Sequence, residues 1–398
     1  MIRFVAGTSV GLADALTPAL ECALAWAGDG LRALVLSGSH ARGDAVWTGD
    51  GSARVSLSDL DLYAVMTDEA ACAAARARAF AGPSRAGIGT GAPGALAAPL
   101  EVAFVTLEGL ARMPARPGTV DLLRSGRVIA GDPRVLAHLP RWEPAAVSAE
   151  ERRLLLENRA FELLAARVHA PGPLASLQAR HAVLKAALDA AAARTLAHGE
   201  LPATAAERVT RARALPPPEG LPSWLAGAWE GAQPLWDEAL RWRAGEGSAA
   251  ALPPEASAAE WRAAARAWSA AWWADAPGTA ASADPWERAL QAAARGSWAR
   301  RMRRSWAFRA RSREAPGLFA RLRSASAGTP PLRIHGSAVV LLLAAAQSPN
   351  EPRLPAGALR ALHALGVTRA QSFDDAARDT LQAWDRQLHD GQRTAEPA

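Results

Sequence analysis

The sequence predicts two architectures in series: an α/β domain over residues 1–140 and an all-α domain over 148–398. Strand-length apolar runs closed by Gly, Ser or Pro alternate with helical patterns up to about residue 140, the signature of interleaved strands and helices. From Ser148 onward the periodicity is almost exclusively helical. Thirteen of the fifteen tryptophans stand at position 142 or later, where large side chains would fill inter-helix space.

In chain order, residues 11–28 carry Leu12, Leu16, Leu20 and Leu24 on one helical face, with Gly28-Asp29-Gly30 as the stop. Pro18 marks either a kink or the true first turn. Leu31–Leu36 is a buried strand by its length and its Ser37-Gly38 boundary. A second strand lies within Val55–Met66, where Leu60, Leu62 and Ala64 alternate with Asp59, Asp61 and Tyr63. Residues 69–80 read as helix, 81–99 as a Gly/Pro/Ala-rich loop, 100–107 as a third strand and 126–133 as a short strand closed by Gly-Asp-Pro. In the second domain, Pro-rich breaks fall at 215–222 and 244–256, and the latter offers a division into two sub-bundles. Trp261, Trp268 and Trp272 share one helical face, which suits helix packing better than a stacking platform for bases or sugars.

Composition narrows the function classes. A net charge of +6 suggests a polyanion partner, but 44 of the 45 basic residues are Arg and only Lys185 is Lys. With one Tyr, two Asn and four Ile beside abundant Ala, Arg, Gly and Pro, the chain bears the mark of a GC-rich genome, and the arginine excess loses weight as a nucleic-acid signal. Cys22 and Cys72 form neither a disulfide framework nor a zinc pattern. No window approaches the roughly eighteen apolar residues of a membrane span, and no signal sequence opens the chain, so a cytoplasmic protein is expected.

The chemistry concentrates in LSGSHARGDAVWTGDGSARVSLSDLDLYAVM, residues 36–66. Carboxylates at i and i+2 of a strand project from one face about 6–7 Å apart. Asp59 and Asp61 are so placed, and a like-charged pair there favours a divalent cation, magnesium by the hardness of its oxygen ligands. The bland alternative is a strand edge with two solvated aspartates. Upstream, Gly38 lets a ligand approach the backbone, the Ser39 hydroxyl and amide can donate to phosphate oxygens, and Arg42 can reach an anion. A triphosphate bound as its magnesium complex needs both features.

This pattern, an apolar strand followed by Gly38, Ser39, Ala41, Arg42 and Gly43 and then Ser58, Asp59, Leu60, Asp61 and Leu62, resembles the nucleotidyltransferases of the DNA polymerase β superfamily, in particular the aminoglycoside nucleotidyltransferase-like, small-molecule branch. The resemblance spans about residues 30–136 and implies a mixed-sheet nucleotidyltransferase core followed by a helical domain. It implies Asp59, Asp61 and Glu101 as catalytic metal ligands for two magnesium ions, a nucleoside triphosphate as co-substrate, and Gly38, Ser39, Arg42, Ser58 and Lys185 at the nucleotide. The implied reaction moves a nucleoside monophosphate, AMP from ATP first among the choices, onto a hydroxyl of a small molecule and releases pyrophosphate. Glu101 is also a candidate general base. A protein-modifying or antitoxin-like transferase and a non-catalytic nucleotide binder of the same fold are the alternatives; nucleic acid is not the favoured partner.

Two features depart from the family pattern, the Ser39–Asp59 spacing and Glu instead of Asp at position 101, the latter shared by some antibiotic-modifying members; the Arg-rich stretch 297–323 stands outside it. Nineteen residues separate Ser39 from Asp59, more than the family usually places there, and the excess around 44–55 is either a hairpin near the nucleotide, with Trp47 as a base or substrate contact, or a solvated excursion. Residues 297–323 hold the densest arginine run, interleaved with Trp298, Trp306 and Phe308, and read as a surface helix with an apolar stripe. Lys185 shares a helical face with His181 and Asp189, so its role is either the triphosphate or an intrahelical pair with Asp189.

Overall fold

The computed structural model describes residues 16–49, 55–81, 98–168, 172–246, 252–276, 284–294, 330–348, 350–367 and 370–393. The Arg-rich stretch 297–323 and most of the loop 81–99 lie outside the described residues.

The first part is a mixed sheet with helices on both faces. α1 (Thr17–Ala27) starts with Pro18 in its first turn, where a missing N–H costs nothing, so the proline marks a beginning and not a kink. β1 (Leu31–Leu36) is followed by the short helix α2 (Gly38–Arg42) and by a two-stranded hairpin, β2 (Trp47–Thr48) with β3 (Val55–Ser56). Then come β4 (Leu60–Met66), α3 (Glu69–Ala81), β5 (Leu100–Thr106), α4 (Leu107–Ala111), α5 (Pro117–Ser125) and β6 (Arg127–Gly131). The strand expected within 55–66 is thus two strands with a bend between them. The main sheet runs β5-β4-β1-β6, with β1 antiparallel to both neighbours and β4 parallel to β5.

Strand alternation sets what each face buries. Leu60, Leu62, Ala64 and Met66 point to one side and pack with Leu16, Leu20 and Ala23 near and on α1 and with Cys72 and Ala75 of α3. On the other side Ala33, Val35 and Val65 are covered by Leu110 of α4 and Leu122 of α5. These two helices cover the Val65 end of β4, and the Asp59 and Asp61 end of the same face borders a cleft.

The rest is helical: α6 (Ala149–Val168), α7 (Pro173–Ala197), α8 (Ala205–Ala214), α9 (Ala228–Arg243), α10 (Pro254–Asp275), α11 (Pro285–Ala293), α12 (Pro330–Gln347), α13 (Ala356–Leu365) and α14 (Phe373–Arg393). A single hydrophobic core takes in Trp229, Trp236 and Trp242 of α9 together with Trp261, Trp268 and Trp272 of α10, so the break at 244–256 does not divide the packing into sub-bundles. The indole N–H groups of Trp261 and Trp268 donate to the Leu163 and Leu156 carbonyls at 2.7 and 2.6 Å, and that of Trp272 donates to Glu157 Oε1 at 3.2 Å. The tryptophan face therefore serves the packing of α10 on α6. Among the described residues no helix is long and apolar enough to cross a membrane.

The long spacing between Ser39 and Asp59 has a structural use. Val46 and Leu57, which flank the hairpin, are buried in the core of the helical part and not in the sheet domain. Arg243, at the end of α9, donates to the Asp44 carbonyl at 2.8 Å and pairs with its carboxylate at 3.0 Å. Trp47 lies edge-on to His40 with ring centroids 5.5 Å apart and packs against the core of the sheet domain. Arg243→Met is expected to cost about 1–3 kcal/mol, the penalty for removing a buried charged hydrogen-bond partner. A lowered urea midpoint with an unchanged slope would show it.

Candidate functional site

A cleft of about 1150 Å³ lies between the sheet and the helical part. The carboxyl end of β1, the start of β4 and the edge strand β5 form one wall, and α6 and α7 supply much of the other.

The turn after β1 is fixed by the Ser37 amide, which donates to the Asp61 carbonyl at 2.9 Å. Gly38 follows with φ +67°, and a Cβ there would sit 2.2 Å from Asp61 Oδ2. Glycine is required twice over, for the left-handed backbone and for the close approach of the carboxylate. Ser39, on α2, lines the cleft beside it.

β4 and β5 then place acids side by side. Their parallel register sets Asp61 against Glu101, and Asp59, one residue before the start of β4, lines the same cleft. Burial, together with the nearby charges of Asp59 and Glu101, pushes the Asp61 carboxyl up to about 7. Asp59 differs. Burial also acts to raise its pKa, but Lys185 outweighs that and holds it below the ordinary carboxylate range, with Nζ donating to Oδ2 at 2.8 Å.

Lys185 comes from α7, 126 residues away, and lies 3.7 Å from Glu162 Oε2. The intrahelical pair with Asp189 does not form, because Arg159 of α6 takes Asp189 at 2.7 Å and also bonds Glu162. Burial and Arg159 act against the Lys185 charge, and Glu162 and Asp59 outweigh them, so its pKa is raised. One turn before it, His181 is 6% exposed and neither ring nitrogen has a hydrogen-bond partner. Burial, then the Lys185 and Arg243 charges, push its pKa down to about 3, so the ring is neutral at any working pH.

The remaining expected residues are present in the cleft wall with other commitments. Arg42 is ion-paired to Asp121 and, at 3.4 Å, to Asp44, and Arg208 of α8 reaches the second Asp121 oxygen at 2.6 Å. The Ser58 hydroxyl accepts the Val46 amide at 3.0 Å and so anchors the hairpin. Asp121, Arg159, Arg208 and Arg243 carry no sequence signal that separates them from the other acids and arginines of an arginine-rich chain; only the fold selects them.

Among the described residues no group of three or more His, Cys, Asp or Glu side chains is arranged to hold a metal ion. The expected set is split: Asp61 and Glu101 stand together, and Asp59 is engaged by the Lys185 ammonium. The pair still suits magnesium. It offers hard carboxylate oxygens on adjacent strands, and magnesium is commonly held by one or two carboxylates together with substrate phosphates.

No protein-family model matches this chain, and no curated protein matches it in sequence.

Proposed function

We propose that the chain is a nucleotidyltransferase of the DNA polymerase β type that moves a nucleoside monophosphate, AMP from ATP in the first instance, from its triphosphate onto a hydroxyl of a small molecule. The observation that carries this reading is the juxtaposition of Asp61 and Glu101 on adjacent strands, the Gly38 turn pressed against Asp61, and the Lys185 ammonium arriving from the facing helix.

In this reading the Gly38 turn and the Ser39 hydroxyl take phosphate oxygens, and Lys185 offsets the charge of the polyphosphate. The acceptor hydroxyl attacks the α-phosphorus in line, its oxygen–phosphorus bond forms as the bond to the α–β bridging oxygen breaks, its proton passes to a base for which Glu101 is the candidate, and pyrophosphate leaves. Magnesium held by Asp61 and Glu101 would add positive charge at the phosphoryl oxygens. The protein's own contribution is positioning: two walls from different domains fix donor and acceptor in one orientation.

The test is a screen of hydroxyl-bearing small molecules with each of the four ribonucleoside triphosphates and magnesium, read by mass spectrometry. The expected product is an acceptor heavier by one nucleoside monophosphate, with pyrophosphate in equal amount and no product from Asp59→Asn/Asp61→Asn. Release of orthophosphate with unmodified acceptors would sink the transfer reading.

A further inference from the structure

The two aspartates of the strand are not equivalent. Asp61 sits against the Gly38 backbone and faces Glu101, whereas Asp59 is bonded across the cleft to the sole lysine of the chain at 2.8 Å. The arrangement around α7 enforces that choice. Asp189, one turn further along the helix, is already taken by Arg159 at 2.7 Å, and Glu162 shares its charge with Arg159 and lies 3.7 Å from Nζ. The ammonium's hydrogen bond goes to Asp59, with Glu162 as a more distant ion-pair partner. The side chain is only 20% exposed, and Asp59 itself 32%, so the pair is sheltered from the screening that makes surface ion pairs weak.

A divalent cation and an ammonium cannot both sit on one carboxylate in a sheltered site without strong mutual repulsion. A lysine is a compact charge on a flexible four-carbon stem and can be drawn to a stronger anion nearby. A polyphosphate is such an anion.

We propose that Lys185 is a built-in counter-ion that withholds Asp59 from magnesium until a polyphosphate draws the ammonium away, so that a cation held weakly by Asp61 and Glu101 gains its third carboxylate, and its full affinity, only with the nucleotide. This rests on the nucleotidyltransferase reading of the cleft. Lys185 is then a positioning residue with two stations, Asp59 in the ligand-free protein and the phosphates in the complex. The exchange keeps a positive charge beside Asp59 at every stage, which lowers the cost of a carboxylate partly withdrawn from water.

The test uses Mn²⁺ as a spectroscopic stand-in for magnesium, with free and bound ion counted by electron paramagnetic resonance, in the presence and absence of a non-transferable α,β-methylene ATP. Wild-type protein should bind Mn²⁺ weakly alone and at least tenfold more tightly with the nucleotide. Lys185→Met should bind Mn²⁺ alone at least tenfold more tightly than wild type, and the nucleotide should then add little. Lys185→Arg, which keeps a cation on Asp59, should behave like wild type towards the metal. Should Lys185→Met not fold, Lys185→Gln serves, with circular dichroism melting as the control for both. If wild type binds nucleotide with metal but neither neutral variant gains affinity for Mn²⁺ alone, the counter-ion proposal is overturned and the transferase reading stands. If wild type binds no nucleotide under any metal condition, the transferase reading falls and takes the proposal with it.

Discussion

Asp61→Asn is expected to lower nucleotide transfer by about a hundred- to a thousandfold, the scale seen when one element of transition-state charge stabilisation is removed, and at the same time to stabilise the protein. The second effect follows from linkage. The Asp61 carboxyl has an ordinary value of 3.8 and is raised to about 7 in the folded chain by burial and by Asp59 and Glu101. Between those two values the folded state holds a proton that the unfolded state has released. The stability contributed by that proton is fully present below about pH 4 and is lost as pH rises to about 7. Asparagine does not ionise, so the variant escapes the loss. Allowing for water in the cleft, its advantage above pH 7 is about 2 kcal/mol, and it should vanish below pH 4. Urea unfolding of both proteins at pH 4 and pH 8 measures it. A variant that is inactive and no more stable at pH 8 would mean that Asp61 is not held under electrostatic stress.

The second large effect lies in the helical core. Trp268 is fully buried, stacks over Trp272 at 6.4 Å with planes 10° apart, and donates its indole N–H to the Leu156 carbonyl at 2.6 Å. Trp268→Ala should cost about 3–5 kcal/mol, through lost burial and the cavity left between α10 and α6. That is a large share of the 5–15 kcal/mol that typically holds a domain folded. Because α10 also packs on α7, the helix that carries Lys185, the loss should reach the cleft as a weakened nucleotide affinity. Trp268→Phe keeps most of the volume and gives up the hydrogen bond, so a cost nearer 1 kcal/mol is expected. Denaturant midpoints of the two variants separate cavity from hydrogen bond.

What could be read from the sequence was local. β1 is legible because a six-residue stretch, apolar but for Arg32, ends at Ser37-Gly38, and β4 because Leu60, Leu62 and Ala64 alternate with Asp59, Asp61 and Tyr63. The pairing of Asp61 with Glu101 follows once both strands lie parallel. The partner of Lys185 was not legible. Spacing along α7 offered Asp189, and only the packing of α6 on α7, which brings Arg159 to Asp189, leaves Asp59 as the lysine's partner. Nor does the sequence reveal that Val46 and Leu57 belong to a core built from residues after 148, since a short apolar residue beside a hairpin carries no mark of the domain it will enter. Arg42 illustrates a third limit. Its motif position suggests an anion, and the fold supplies two, Asp121 and Asp44, from the chain itself.

The most direct test of the central claim is calorimetric titration of ATP, GTP, CTP and UTP with magnesium into the wild-type protein and into Asp59→Asn/Asp61→Asn. Magnesium-dependent binding of at least one nucleotide to the wild type is expected, with its loss in a double variant that remains folded. Nucleotide binding that survives in the double variant, or no binding to either protein, would contradict that claim.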